Sequence, residues 1–277
     1  MSAAPLAQNA AELAARAQTE NFPVALFVLS RAQRTHLMAI YGFARLADEL
    51  GDSASGDRLA QLDWLEADLD RAYAGTAQHP LLQKLTPSLH ALALPQGPFA
   101  ALIEANRRDQ RISRYSSWRA LAEYCEYSAN PVGRLVLHVF GAATAERFAL
   151  SDQVCTALQL AEHCQDVAED FARGRVYLPA EDLVRFGARE ADLAAKSASP
   201  ALRQVLRFEV ERARALLASG SALVRTLSGR GRLAVAGFIA GGRAALDAIE
   251  RADFDVLATS AKPRRRDLAR RLVGAYL

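Results

Sequence analysis

The sequence predicts an all-α protein folded as a single domain. Apolar residues recur at intervals of three or four along almost the whole chain, and alternating β-branched runs are nearly absent. The 277 residues are 51% hydrophobic, which is enough for one large core. Short proline- and glycine-containing breaks divide the chain without a long linker. We therefore expect about eight to twelve helices across residues 1–277.

Four segments carry the clearest helical periodicity: residues 33–50, 56–75, 151–174 and 199–227. The first places four apolar residues on one face: Leu37, Ile40, Tyr41 and Ala44. Ser151 is predicted to cap the start of the third helix, and Gly174 to end it. The segment ANPVG at 129–133 is predicted to bend a helix.

Charge and cysteine content exclude several classes of protein. The formal net charge is only +3 and the basic residues are interspersed, so no nucleic-acid partner is predicted. Three cysteines without CxxC spacing indicate buried thiols in a reduced, cytoplasmic protein. The N-terminus lacks the pattern of a signal peptide, and no apolar run is long enough for a membrane span.

Residues 161–170, AEHCQDVAED, concentrate acidic side chains on an otherwise apolar helix. Four of them follow the spacing i, i+4, i+7 and i+8: Glu162, Asp166, Glu169 and Asp170. On a continuous helix this spacing puts all four on one face. Like charges at i and i+4 destabilise a helix by about 0.2–0.5 kcal/mol per pair, so a bound cation would explain why the stripe is kept.

A second acidic pair lies in RLADELGD at 45–52, where Asp48 and Asp52 are again spaced i, i+4. In a helical bundle the two DxxxD pairs can converge from opposite sides. Mg²⁺ prefers carboxylate oxygens and leaves coordination positions for water and phosphate. The two pairs therefore predict Mg²⁺ held for a diphosphate. The alternative is that each pair is a chance occurrence on a solvated face, which is how we interpret the acidic residues of 62–70.

Several motifs resemble the squalene/phytoene synthase family over about residues 20–262. The motifs that carry the resemblance are RLADELGD (45–52), YCEYSANPVGR (124–134) and QLAEHCQDVAEDFARGRVYLP (159–179), with ENFPVA (20–25) and RYSSW (114–118) in support. The resemblance implies an isoprenoid-synthase-type helical bundle around a central cavity. It also implies a Mg²⁺-dependent enzyme that ionises or condenses prenyl diphosphates.

The resemblance assigns roles to individual residues. Mg²⁺ would be held by Asp48, Asp52, Asp166 and Asp170, with Glu169 as a further ligand. Diphosphate oxygens would be contacted by Arg45, Arg175 and Tyr177. The cavity would be lined by Gln159, Phe22, Tyr41, Ala129, Val132 and Gly133. Tyr124 matches the position of the family's active-site tyrosine.

Within the family, NFPVA and SANPVGR look most like the hopanoid-pathway branch. This implies conversion of presqualene diphosphate and water to hydroxysqualene and diphosphate, without a reductant. The nearest alternative is head-to-head condensation of two prenyl diphosphates, giving presqualene diphosphate or a phytoene-type product. A non-catalytic helical binding protein that retains the fold is the alternative from another class. One position departs from the family: Glu162 stands where asparagine is usual, which makes it a further candidate Mg²⁺ ligand and puts the product in question.

The tail KPRRRDLARR at 262–271 is the one dense basic run in the sequence. It would suit peripheral contact with the anionic inner membrane surface, although a solvated helix end is the favoured interpretation. An upstream prenyl synthase that supplies the substrate is a candidate partner.

Overall fold

The computed structural model describes residues 28–52, 54–259 and 261. Twelve α-helices and one 3₁₀ helix (Glu190–Ala194) have their bounds within these ranges, which confirms the all-α class. Apart from an isolated parallel bridge between Arg114 and Val176, this part of the chain consists of helices and connecting loops. The α-helices are α1 (Arg31–Asp52), α2 (Arg58–Tyr73), α3 (Pro80–Ala91), α4 (Gln96–Asp109), α5 (Trp118–Ser128), α6 (Asn130–Val139), α7 (Ala145–Gln165), α8 (Val167–Ala172), α9 (Ala180–Phe186), α10 (Pro200–Gly220), α11 (Leu223–Thr226) and α12 (Gly229–Arg251).

Two apolar clusters form the core. Helices α1 to α4 supply most of the first, in which the rings of Phe43 and Phe99 meet edge to face with centroids 5.0 Å apart. Helices α7, α10 and α12 supply much of the second. Helix α6 belongs to both, because Leu135 packs in the first cluster and Leu137 in the second. The site described below lies where the clusters meet, between α1 and α7.

The predicted third helix is divided, and its predicted start was wrong. Helix α7 begins at Ala145, where the Thr144 hydroxyl accepts a hydrogen bond from the Arg147 amide; Ser151 lies inside the helix. At Asp166 the backbone (φ −99°, ψ 15°) leaves helical geometry, and α8 follows. The Asp166 amide still donates a hydrogen bond to the Glu162 carbonyl, and the Asp166 carbonyl accepts one from the Asp170 amide. The acidic side chains before and after the break therefore stay on the same face.

Of two other predicted helix boundaries, one is wrong and one is confirmed. The segment predicted as one helix over 199–227 is two helices, α10 and α11, separated after Gly220. The predicted end at Gly174 is confirmed: α8 stops at Ala172, and Gly174 has φ +82°, which favours glycine.

The ANPVG segment separates α5 from α6 at Ala129 and brings α6 against α7. Asn130 accepts a hydrogen bond from the Thr156 hydroxyl of α7 at 3.0 Å. A Cβ atom at Gly133 would lie 2.4 Å from both Ser151 Oγ and Cys155 Sγ. The glycine is therefore needed for the close approach of two helices, in addition to the space it was predicted to leave for a chain.

A buried ion cluster fixes α10 against α9. Arg212 Nη1 donates to Asp182 at 2.9 Å and to Glu209 at 2.6 Å, and the guanidinium stacks on the rings of Trp118 and Phe208. Burial raises the pKa of Glu209 to about 8, and the adjacent Arg212 guanidinium partly opposes that rise.

Replacing Arg212 with alanine should destabilise the fold by about 3 kcal/mol, because it leaves buried carboxyl groups without their cation. Urea unfolding followed by circular dichroism measures the change. Arg214→Ala, which removes a more exposed arginine paired with Glu250 and Asp247, is the matched control and should cost less than about 1 kcal/mol. Equal losses in both variants would contradict the assigned role of the buried cluster.

Candidate active site

Two adjoining cavities lie between α1 and α7. The larger has a volume of about 1030 Å³ and the smaller about 250 Å³. Eight residues line both: Asp48, Asp52, Ser128, Gln159, Glu162, Asp166, Arg173 and Arg175. Six of these eight residues are charged, whereas the rest of the larger cavity is more apolar.

Asp48 and Asp52 form the first acidic wall at the C-terminal end of α1. Arg45, one turn earlier, lies 3.6 Å from Asp48, and Asn106 of α4 donates to the same carboxylate at 3.3 Å. Asp52 accepts a 2.6 Å hydrogen bond from Arg175 Nη2. Because Arg175 follows α8, this contact ties the first wall to the end of the second.

The second acidic wall comprises Glu162, Asp166, Glu169 and Asp170. Burial and the adjacent negative charge of Asp166 raise the pKa of Asp170 to about 7. Glu169 lies nearer the surface and pairs with Arg173 at 2.6 Å. The carboxylate repulsion expected from the sequence is thus present in the folded chain, and a cation at this wall would relieve it.

A tyrosine cluster around the half-buried carboxyl of Asp109 closes the smaller cavity. Tyr124 donates to Asp109 at 2.7 Å and Tyr177 donates to the other oxygen at 3.3 Å. The two rings stack with centroids 5.7 Å apart, and Tyr115 packs on both. Burial raises the pKa of Asp109 to about 6, while the Tyr124 hydrogen bond partly opposes that rise.

His163 lines the smaller cavity beside the second wall. Its ring stacks on Tyr177 with centroids 4.0 Å apart, Gln159 Nε2 lies 3.4 Å from its Nε2, and Asp170 lies 3.9 Å from its Nδ1. Burial lowers the pKa of His163 to about 3, so the ring is neutral near pH 7.

The neutral state of His163 predicts an acid-dependent loss of stability. The ordinary pKa is 6.5, so between that pH and about 3 the unfolded chain binds a proton that the folded protein excludes. Stability should fall as the pH falls, by about 2 kcal/mol from this group at pH 5. Unfolding free energies measured from pH 7.5 to 5 should fall less in His163→Gln than in the unsubstituted protein; parallel curves would contradict the prediction.

The larger cavity has an apolar end that suits a prenyl chain. Tyr41, Ala129, Val132 and Gly133 line it as predicted, beside further apolar residues from α1, α6, α7 and α12. The contributing set includes Leu37, Ile40, Val136, Leu137, Val154, Leu158, Val235 and Phe238. Ser128, Ser151 and Cys155 add polar atoms on the α5–α7 side.

Every predicted site residue in the described part of the chain lines one of the two cavities. Phe22 and the basic tail lie outside the described residues, so the structure does not test the predictions for them. Three further residues line the smaller cavity and were not predicted from the sequence: Asp109, Asn106 and Ser128. Asp109 had a signal, since it precedes RYSSW by a few positions, but a lone aspartate at a helix end is a weak one.

The donor set fits a hard cation held partly by its substrate. The aspartates offer carboxylate oxygens to a shared space, and 48% of the Asp48 side chain is exposed. Among residues 28–52, 54–259 and 261, no group of three or more acidic, histidine or cysteine side chains is close enough to hold an ion alone. Mg²⁺ typically uses one or two carboxylates with water and phosphate oxygens, so the two walls suit ions shared with a diphosphate.

Comparison with known proteins gives consistent matches. The squalene/phytoene synthase family model matches residues 15–271. A hydroxysqualene synthase from Zymomonas mobilis is 36% identical over 74% of this chain and 69% of its own length. A presqualene diphosphate synthase from Rhodopseudomonas palustris is 34% identical over 72% of each chain. The crystal structure of squalene synthase HpnC from Alicyclobacillus acidocaldarius superposes with a TM-score of 0.82 and 42% identity, covering 88% of this chain and 94% of that one.

Proposed function

Because the chain belongs to the squalene/phytoene synthase family and is an enzyme that uses prenyl diphosphates, we propose that it converts presqualene diphosphate and water to hydroxysqualene and diphosphate, with Mg²⁺ as cofactor. The observation that carries the proposal is the charged boundary between the cavities, which adjoins an apolar chamber formed by one end of the larger cavity, whose total volume is about 1030 Å³. Similarity to hydroxysqualene synthases supports this substrate.

The charged boundary would bind the diphosphate. Asp48 and Asp52 on one side, and Asp166 and Asp170 on the other, would hold Mg²⁺. When bound, Mg²⁺ neutralises the diphosphate and stabilises the charge that develops as the C–O bond breaks. Arg45 and Arg175, which lie beside these carboxylates, would add hydrogen bonds to the departing oxygens.

The apolar chamber would protect the carbocation left by ionisation. The aliphatic part of its lining would keep water away from the cation. The ring of Tyr41 provides a π face that can stabilise positive charge. The Asp109–tyrosine cluster holds Tyr124 and Tyr177 in place, so the wall facing the diphosphate is rigid.

A second candidate function is synthesis of presqualene diphosphate from two farnesyl diphosphates. The 34% identity to a presqualene diphosphate synthase favours it, since the same carboxylate and arginine set would serve either substrate. The non-catalytic alternative lacks support, because the chain keeps all four aspartates on the cavity wall and its similar proteins are named as enzymes.

Product analysis by mass spectrometry tests the proposal. Purified protein with Mg²⁺ should convert presqualene diphosphate to hydroxysqualene without NADPH. Farnesyl diphosphate offered alone should remain unchanged. Conversion of farnesyl diphosphate to presqualene diphosphate, with no conversion of presqualene diphosphate itself, would support the second candidate instead.

A further inference from the structure

We propose that Arg173 is a further diphosphate-binding residue, and that Glu169 holds it aside until this carboxylate turns to Mg²⁺. The inference rests on the proposed function and deepens it, because it adds an arginine to the site and couples the binding of the metal ion to the binding of the diphosphate. In the metal-free protein, one ion pair keeps both side chains from their ligands.

Arg173 lies at the charged boundary between the two cavities. It directly follows α8 and lines both cavities, as Arg175 does. Gly174 separates the two arginines and turns the chain with φ +82°. Both arginines therefore present atoms to the space in which the diphosphate would bind, although the sequence analysis gave Arg173 no role.

The two arginines differ in how firmly they are held. The Arg175 side chain is only 15% exposed, and its Nη2 lies 2.6 Å from Asp52. The Arg173 side chain is 57% exposed, and its Nη2 lies 2.6 Å from Oε1 of Glu169, which is itself 61% exposed. An ion pair with both partners in contact with solvent contributes little net stability. Arg173 can therefore change partners at low cost, whereas Arg175 is fixed.

Glu169 is the carboxylate that would be exchanged. It lines the larger cavity and belongs to the second acidic wall, beside Asp170. Its oxygens are of the kind that Mg²⁺ prefers, and the neighbouring carboxylates favour a cation at this wall. A guanidinium and a divalent cation therefore compete for the same oxygens, and the cation brings the larger charge.

The exchange also favours the guanidinium. A diphosphate carries more negative charge than one carboxylate and offers pairs of oxygens that match the planar donors of arginine. Once released from Glu169, Arg173 would add its charge to those of Arg45 and Arg175. Each ligand then frees the group that the other needs, so binding of Mg²⁺ and of diphosphate is mutually reinforcing.

The test compares two affinities in Arg173→Gln. Mn²⁺, which suits the same oxygen ligands, is bound to diphosphate-free protein and followed by electron paramagnetic resonance. Inorganic diphosphate is titrated by calorimetry at saturating Mg²⁺. We expect Mn²⁺ to bind about threefold more tightly, the size of an exposed ion pair, and diphosphate to bind about tenfold more weakly. An unchanged affinity for either ligand, or weaker binding of both, would overturn the proposal.

A second background separates the contact from the general effect of charge. In Glu169→Gln the ion pair is already absent, so adding Arg173→Gln should no longer change the Mn²⁺ affinity. An effect of the charge alone would be the same in both backgrounds. Equal gains in Mn²⁺ affinity with and without Glu169 would therefore overturn the proposed competition.

Two further variants serve as controls. Arg173→Lys keeps the charge but not the planar pair of donors, so it should keep the parent's Mn²⁺ affinity and recover part of the diphosphate affinity. Arg189→Gln removes an exposed arginine that pairs with Asp192 away from both cavities, and should change neither affinity. Equal shifts in Arg189→Gln and Arg173→Gln would contradict a local role for Arg173.

These measurements distinguish the inference from the function on which it rests, because inorganic diphosphate replaces the prenyl substrate. If the parent protein does not convert presqualene diphosphate but the affinities shift as expected, the proposed reaction fails and the role of Arg173 stands. If the protein makes hydroxysqualene and Arg173→Gln binds both ligands as the parent does, only the role of Arg173 fails.

Discussion

Replacing Asp48 or Asp166 with asparagine should lower turnover of presqualene diphosphate by about a thousandfold, equivalent to about 4 kcal/mol of lost transition-state stabilisation. Each substitution keeps the shape of the side chain and removes one negative charge from one acidic wall. With that charge absent, Mg²⁺ and the diphosphate would bind less well where the C–O bond breaks. Initial rates at saturating substrate and Mg²⁺ measure the effect.

The matched control is Asp63→Asn on α2. Asp63 is 69% exposed, pairs with Arg107 and lies outside both cavities. This variant should retain full activity. The Asp48→Asn, Asp166→Asn and Asp63→Asn variants should all keep the helix content of the parent protein, because each replaced carboxylate faces either the cavity or solvent. Full activity in both Asp48→Asn and Asp166→Asn would contradict the metal-binding role of the walls.

Arg175→Gln should lower the same turnover by about a hundredfold or more, the usual effect of removing one hydrogen-bond donor to developing negative charge. Arg175 bonds Asp52 and lines both cavities, so its loss also frees a carboxylate that repels the diphosphate. Arg175→Lys keeps the charge but not the planar pair of donors, and should recover part of the rate.

Arg189→Gln is the control for charge alone. Arg189 is 82% exposed and pairs with Asp192, away from both cavities. The Arg189→Gln substitution removes one positive charge, as Arg175→Gln does, and should leave turnover unchanged. Comparable losses in Arg175→Gln and Arg189→Gln would mean that overall charge, and not contact with the diphosphate, controls the rate.

Periodicity was sufficient to predict much of the fold. Leu37, Ile40 and Tyr41 recur at helical spacing and are buried along α1, so the pattern marked the correct face. Breaks within helical segments were harder to predict. Asp166 and Gly220 interrupt helices without a proline nearby, and only tertiary packing determines the local backbone there.

The acidic motifs predicted the cavity because their spacing is a local property of a helix. Asp48 and Asp52 share a face on any helix, and the family resemblance indicated what they oppose. The contact between Asp52 and Arg175 joins residues far apart in the chain, so no local pattern reports its geometry. Asp109 and Ser128 were missed for the same reason: each is a common residue type, and only its surroundings single it out.

The most direct test of the account is diphosphate release from presqualene diphosphate by metal-free protein as Mg²⁺ is restored. We expect no release before Mg²⁺ is added, and afterwards one hydroxysqualene for each diphosphate released. The Asp48→Asn and Asp166→Asn variants should stay slow at every Mg²⁺ concentration. Release at the full rate without any divalent cation, or with both variants equal to the parent, would contradict the assignment of this cavity as a magnesium-dependent site of diphosphate ionisation.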